Sequence, residues 1–225
     1  MASERTDGGD RTGSPRERYR AQVRAEVLDH ARAQIAEAGL AALSLNAIAK
    51  RMGLSGPALY RYFAGRDELL TALVKDAYQS LADALRAANS PPGGLAALAR
   101  AFRAWALADP HRYFLLYGTP LPGYRAPDDT TAVSRRIMRV LLDACAAAGA
   151  VPASGAPVVA HLDEHRAWAQ GHPAPPEVLH RALTFWTRLH GLLSLELAGQ
   201  FAGMGFDPEV LYAAEVDALT GRRDA

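Results

Sequence analysis

The residues best suited to chemistry lie in the stretch LSGPALYRYF, residues 54–63. Gly56, Pro57 and Ala58 are small enough for a backbone to come close to another surface, and Tyr60, Arg61 and Tyr62 follow with hydroxyl and guanidinium donors. That combination suits a DNA major groove, about 12 Å wide, which a helix enters end-on so that groups behind its first turn reach phosphates or base edges. Local charge agrees. Between Glu37 and Asp67 the chain carries Lys50, Arg51, Arg61 and Arg66 and no acid, although its overall charge is only +1. A phosphate-facing surface needs only such a local excess. The competing account makes the stretch a tight hairpin within a larger bundle, with Tyr60 and Tyr62 as boundary aromatics.

The elements that must hold these residues read as helices throughout, about nine of them, and no segment reads as a strand: the fold class is all-α. Residues 1–13 have almost nothing to bury and are expected to form a disordered arm. Ser14, Pro15 and Glu17 make a helix start, Tyr19, Val23, Val27, Ala31 and Ile35 recur every four residues, and Gly39 ends the run. Ser44 caps a short helix, LNAIAKRM, that ends at Gly53, and Ser55 caps another, GPALYRYF. Two short helices joined by a glycine-containing turn are a helix-turn-helix unit. After Gly65, Asp67 and Glu68 open a longer helix carrying Leu69, Leu70, Leu73, Ala77, Leu81 and Leu85 on one face. NSPPGG, residues 89–94, interrupts the chain. The division expected is an arm over 1–13, a helix-turn-helix unit over 14–66, and a larger unit over 67–225 that begins with a linking helix over 66–88.

The segment SLNAIAKRMGLSGPALYRYFAGRDELL, residues 44–70, resembles the DNA-binding domain of the TetR family of transcriptional regulators. RYFLLYGTPLPGYRAP and FWTRLHGLLSLELAGQF resemble the C-terminal subgroup named for its Trp-His-Gly signature, here Trp186, His190 and Gly191. By resemblance, Ser44 and Asn46 join the contact set, which becomes Ser44, Asn46, Ser55, Gly56, Pro57, Ala58, Tyr60, Arg61, Tyr62 and Arg66. Arg66 stands where related sequences commonly carry lysine; it keeps the charge and replaces a point donor with a fork. The resemblance implies a ligand-responsive regulator, a repressor in preference to an activator, that binds palindromic double-stranded DNA as a homodimer and leaves it on binding a small-molecule effector.

The remaining two-thirds of the chain should then hold the effector cavity and the dimer surface. Trp105, His111, Tyr113, Phe114, Tyr117, Trp168 and Phe185 supply aromatic walls with a few polar tips, the composition of a small-molecule cavity between helices. Along 183–201, apolar positions wrap most of the helix, more than one core can cover. Trp186, Leu189, Leu193, Leu197 and Phe201, with Leu211 and Leu219 of the last helix, are therefore the expected dimer interface; the competing account is a fully buried central helix of a monomer.

HLDEH, residues 161–165, offers a rival chemistry. It fits H-x-x-E-H, in which two histidines a turn apart hold zinc and the glutamate is the general base of a metallopeptidase. That role needs a buried helix and a third ligand, yet the motif lies between VPASGAP and GHPAPP. It reads as a solvated helix face, so no metal, no other cofactor and no catalytic residue is expected. The single cysteine, Cys145, excludes an intrachain disulfide. No apolar run reaches the ~18 residues of a membrane span and the N-terminus has no signal-peptide core, so a cytoplasmic protein without a membrane partner is expected.

Overall fold

The structure, a computed structural model, describes residues 14–90, 93–119, 123–124, 127–149 and 156–221; the arm expected over 1–13 lies outside them. Ten α-helices and no strand occur among the described residues. The chain divides into two compact units after Leu73, inside the helix expected to link them.

In the N-terminal unit, α1 (Pro15–Ala38) starts with a reciprocal cap: Ser14 Oγ accepts from the Glu17 amide, and the Glu17 carboxylate accepts from the Ser14 amide at 2.6 Å. Val23, Val27, Ala31 and Ile35 are buried, whereas Tyr19, one step earlier in the same series, is exposed. A 3-10 turn, Leu40–Ala42, leads to α2 (Leu45–Arg51), where Ser44 Oγ accepts from Ala47 N. Gly53, at φ 65°, reverses the chain into α3 (Gly56–Tyr60). Ser55 occupies the cap position of α3, but its side chain makes no capping bond. Leu45, Ile48, Leu59 and Phe63 are buried beneath these helices, with Leu69 and Leu70 from the first turns of α4 (Arg66–Ala88).

The C-terminal unit contains the rest of α4, then α5 (Leu95–Ala108), α6 (Pro110–Tyr117), α7 (Asp128–Ala147), α8 (Ala156–Glu164), α9 (Pro176–Leu197) and α10 (Pro208–Thr220). The tenth helix, beyond the nine expected, is α8. Its Pro157 falls in the first turn, where a missing N–H is harmless, and Leu162 anchors it by burial. The proline- and glycine-rich surroundings suggest no more than one helical turn at HLDEH, whereas the helix starts five residues earlier, at Ala156. Helix α9 is the spine of the unit, burying Val178, Leu179, Ala182, Phe185, Leu189 and Leu193. Arg103 of α5 grips Glu196 at its end through two hydrogen bonds, 2.6 and 3.3 Å, with both side chains about 15% exposed or less.

Candidate functional site

In the N-terminal unit, Leu45, Ile48 and Ala49 bury one side of α2, which leaves Asn46 and Lys50, four residues apart, together on the exposed side. Asn46 stands against the start of α3: a Cβ at Gly56 would lie 3.4 Å from its Oδ1. Gly56, Pro57 and Ala58 are at least partly exposed, Tyr60 is 46% exposed, and Arg61 is exposed. Tyr62 is half-buried beside the fully buried Phe63. Asn46, Lys50, Tyr60 and Arg61 make no side-chain hydrogen bond or ion pair within the described residues, and the Ser55 hydroxyl has no capping duty. These polar tips are free to meet an outside partner.

The other cations differ. Arg51 pairs with Glu37 at 2.5 and 3.2 Å. The acid that marks the edge of the acid-free stretch thus reaches back into it, and each side chain moves the other's titration toward the charged form through this hydrogen bond. Arg66 donates to the carbonyls of Leu43 at 3.3 Å and Leu40 at 3.0 Å, tying the start of α4 to the 3-10 turn. Its fork, expected on phosphate, is partly committed to backbone. Ser44 is likewise internal: it caps α2 while its amide donates to Gln34 Oε1 at 2.9 Å.

Sequence reasoning missed the residues that fix the outgoing end of α3. Arg24 of α1 donates to the Tyr62 carbonyl, lies 4.0 Å over the Phe63 ring and reaches Glu68 Oε1 at 3.3 Å. Arg20, a turn earlier, donates to the Arg61 carbonyl at 3.3 Å. Glu68 also accepts from Ala64 N at 2.7 Å; this backbone bond, with Arg24 and Arg20 nearby, holds its carboxyl below the usual range. The available signal was spacing: Arg20 and Arg24 share a face with Val23 and Val27, so cations border the apolar stripe of α1.

In the C-terminal unit, the expected cavity residues separate. Tyr117 and Trp168 line a cleft of about 290 Å³ together with Tyr78, Ser134, Arg135, Ile137, Met138 and Trp186. Tyr113 is fully buried behind it, its hydroxyl 3.0 Å from His190 Nδ1 and 2.7 Å from Ser194 Oγ. Phe114 packs edge-on against Tyr113 and does not line the cleft. Trp105 is core, its Nε1 donating to Ser80 Oγ and Arg112 lying 4.5 Å over its ring. Phe185 is core as well, and His111 is in solvent at the start of α6. An aromatic residue at helical spacing satisfies core and cavity equally, and only the packing separates them.

The expected dimer residues divide in the same way. Leu189 and Leu193 are buried in the unit's own core, and Trp186 turns inward, stacked on Phe102 with centroids 5.3 Å apart. Leu189 and Leu193 are thus interior, because α9 has two apolar faces and the broader one belongs to its own unit, while Trp186 is half-buried at the cleft. Leu197, Phe201 and Leu219 are half-buried; Leu211 is exposed. Leu195, one of the apolar positions along 183–201, is 46% exposed, and three exposed apolar side chains lie outside the expected set: Phe206 at 42%, Met204 at 63% and Val210 at 68%.

His161 and His165 stack at 4.2 Å in solvent, and His165 lies beyond the end of α8 with Nδ1 3.0 Å from the His161 carbonyl. No cluster of three metal-binding side chains occurs among the described residues. Nor is any described helix long and apolar enough to cross a membrane.

Residues 27–73 match the family model for bacterial regulatory proteins of the tetR family, and residues 95–219 match that for a tetracyclin repressor-like C-terminal domain. The HTH-type transcriptional regulator Rv1816 of Mycobacterium tuberculosis is 38% identical over 215 residues, covering 89% of this chain and 92% of that protein. Among solved structures, SCO4313, assigned as a regulatory protein, is 65% identical with a TM-score of 0.85, covering 92% of this chain and all of the other. The TetR family regulator PfmR of Thermus thermophilus, at 18% identity, TM-score 0.55 and coverage of 88% and 99%, shares the fold.

Proposed function

The chain belongs to the TetR family of transcriptional regulators, and on that premise we propose that it is a cytoplasmic repressor that binds a palindromic operator as a homodimer and releases it when a small molecule occupies the cleft beside Tyr117 and Trp168. One observation carries the DNA side of this reading: the polar tips around the small-residue start of α3 have no partner among the described residues, while Arg20 and Arg24 clamp the backbone at the end of α3 and Arg66 that of the turn before α2. A rigid helix presenting unsatisfied donors is what groove recognition requires.

The contact set keeps Asn46, Ser55, Gly56, Pro57, Ala58, Tyr60, Arg61 and Tyr62, gains Lys50, and gives Ser44 and Arg66 a mainly positioning role. Gly56, Pro57 and Ala58 bring no hydrogen-bonding side chain, so base reading falls to Asn46, Tyr60 and Arg61 with apolar contact to thymine methyls. A dimer would place two such helices about 34 Å apart, one turn of DNA. Its interface is proposed on the outer side of α9 and α10, where Leu195, Val210 and Leu211 are exposed. Effector binding can release DNA only if the effector prefers the conformation that does not fit the operator.

Footprinting with the purified protein on genomic fragments tests this. Protection of a two-fold symmetric site, lost in both Tyr60→Ala and Arg61→Ala, is expected; protection that survives both changes, or none on any fragment, refutes it.

A further inference from the structure

His190 sits in a box of rings: Trp186 at 4.2 Å, Tyr117 at 4.3 Å, Phe102 at 4.7 Å and Tyr113 at 5.8 Å between centroids. Its Nδ1 is committed to the Tyr113 hydroxyl, which is itself held by Ser194 Oγ. Nε2 is buried and has no partner among the described residues. Burial holds the ring neutral, with its pKa lowered to about 4, so Nε2 offers one hydrogen bond, as donor or acceptor according to tautomer.

Trp186 is the ring nearest His190, packed edge-on with centroids 4.2 Å apart. Its indole lines the 290 Å³ cleft and also a void of about 10 Å³ bounded by Phe102, Leu98 and Leu141. It is a shared wall. Unlike Trp105, whose Nε1 is anchored on Ser80, Trp186 makes no side-chain hydrogen bond within the described residues and is held by packing, chiefly against rings. Tyr117, another ring of the box around His190, lines the same cleft.

We propose that the polar group of the effector is received by His190 Nε2, reached when the Trp186 indole turns aside, and that the effector is a small, uncharged, mainly apolar compound with a single hydroxyl or carbonyl. This rests on the effector-responsive reading above. The chemistry sets the class. An anionic tip among four aromatic rings would be desolvated without a counter-ion; a cationic one, although ring faces attract it, would meet no carboxylate in the cleft lining, whose charged member, Arg135, is exposed at its edge and repels it. The volume, about 290 Å³, lies just below the ~300–1,000 Å³ range of small-molecule sites, which calls for a small ligand. The rings accept an apolar body, and Nε2 alone distinguishes a hydroxyl-bearing molecule from its hydrocarbon.

The test uses 4-methylphenol and toluene, which differ by that hydroxyl, and the full-length protein. Dissociation constants are measured calorimetrically for the parent, His190→Phe and His190→Gln. The preference for 4-methylphenol over toluene should fall about five-fold in His190→Phe, the effect of one net hydrogen bond, and recover in His190→Gln. Because Tyr113 keeps Ser194 in either variant, the fold has a remaining anchor. In unsubstituted protein labelled with nitrogen-15 at histidine, the Nε2 resonance should move with 4-methylphenol and stay with toluene. An unmoved resonance at saturation, the same preference in all three proteins, absence of binding by the parent, or tighter binding of benzoate than of 4-methylphenol overturns the inference. Probe binding that depends on His190 but leaves DNA affinity unchanged would instead refute the effector reading and leave the site standing.

Discussion

Removing the Arg24 side chain should loosen α3 without unfolding the rest of the protein. The guanidinium makes three contacts at once: the Tyr62 carbonyl, the Phe63 ring at 4.0 Å and Glu68 at 3.3 Å. A hydrogen bond from a charged donor contributes about 1.5 kcal/mol at the low end, and a partly exposed cation–π contact about 0.5. The ion pair is exposed by 32% on one side and 44% on the other, so solvent leaves it only a few tenths. Together these suggest about 2 kcal/mol for Arg24→Ala, or a roughly thirty-fold rise in local opening. All three tryptophans lie in the C-terminal unit, so their fluorescence would not see the change. Hydrogen exchange read by mass spectrometry would. The amides of Tyr62 and Phe63, both bonded to the Leu59 carbonyl, should exchange about thirty-fold faster, with a peptide spanning α5 unaffected. Arg24→Lys should fall between, since lysine can reach the carbonyl but cannot lay a planar fork on the ring. If residues 59–63 exchange within two-fold of the parent, the clamp is not what holds α3.

Three further outcomes follow from the geometry. His190, lowered to about 4 by burial, stays neutral in the folded chain while an unfolded histidine titrates near 6.5; between those values the unfolded state binds more protons, so stability should fall as pH drops from 6.5 to 4, by up to about 3 kcal/mol, and urea midpoints should lose much of that slope in His190→Gln. Gly53 has φ 65° and nothing within 4 Å of where a Cβ would be, so Gly53→Ala should be destabilising by about 1 kcal/mol from backbone strain alone, with Gly53→Asn milder, as read by exchange of the α2–α3 amides. Arg103→Met leaves Glu196, 13% exposed, without its bidentate partner; a loss of about 3 kcal/mol is expected by chemical denaturation, and Arg103→Met with Glu196→Leu should recover most of it.

Helix starts and apolar faces were legible because they are local. Ser14 with Glu17, the turn at Gly53 and the stripe from Leu69 to Leu85 each obey a rule that spans a few residues. What the sequence could not reveal were choices between equivalent faces and partners far along the chain. Helix α9 is apolar nearly all round, and nothing in its pattern tells that Trp186, Leu189 and Leu193 face their own core while Leu195 does not. The Arg24–Tyr62 and Arg66–Leu40 bonds join residues 38 and 26 positions apart, so a cation counted toward a phosphate surface turned out to serve backbone carbonyls. Charge density therefore overstates a nucleic-acid surface whenever an arginine can reach an uncapped carbonyl, because a fixed carbonyl within the fold competes with a phosphate that arrives only on binding. That competition leaves Lys50 and Arg61, rather than Arg51 and Arg66, as the cations whose removal should reduce the salt dependence of DNA binding most, by about one unit of slope each.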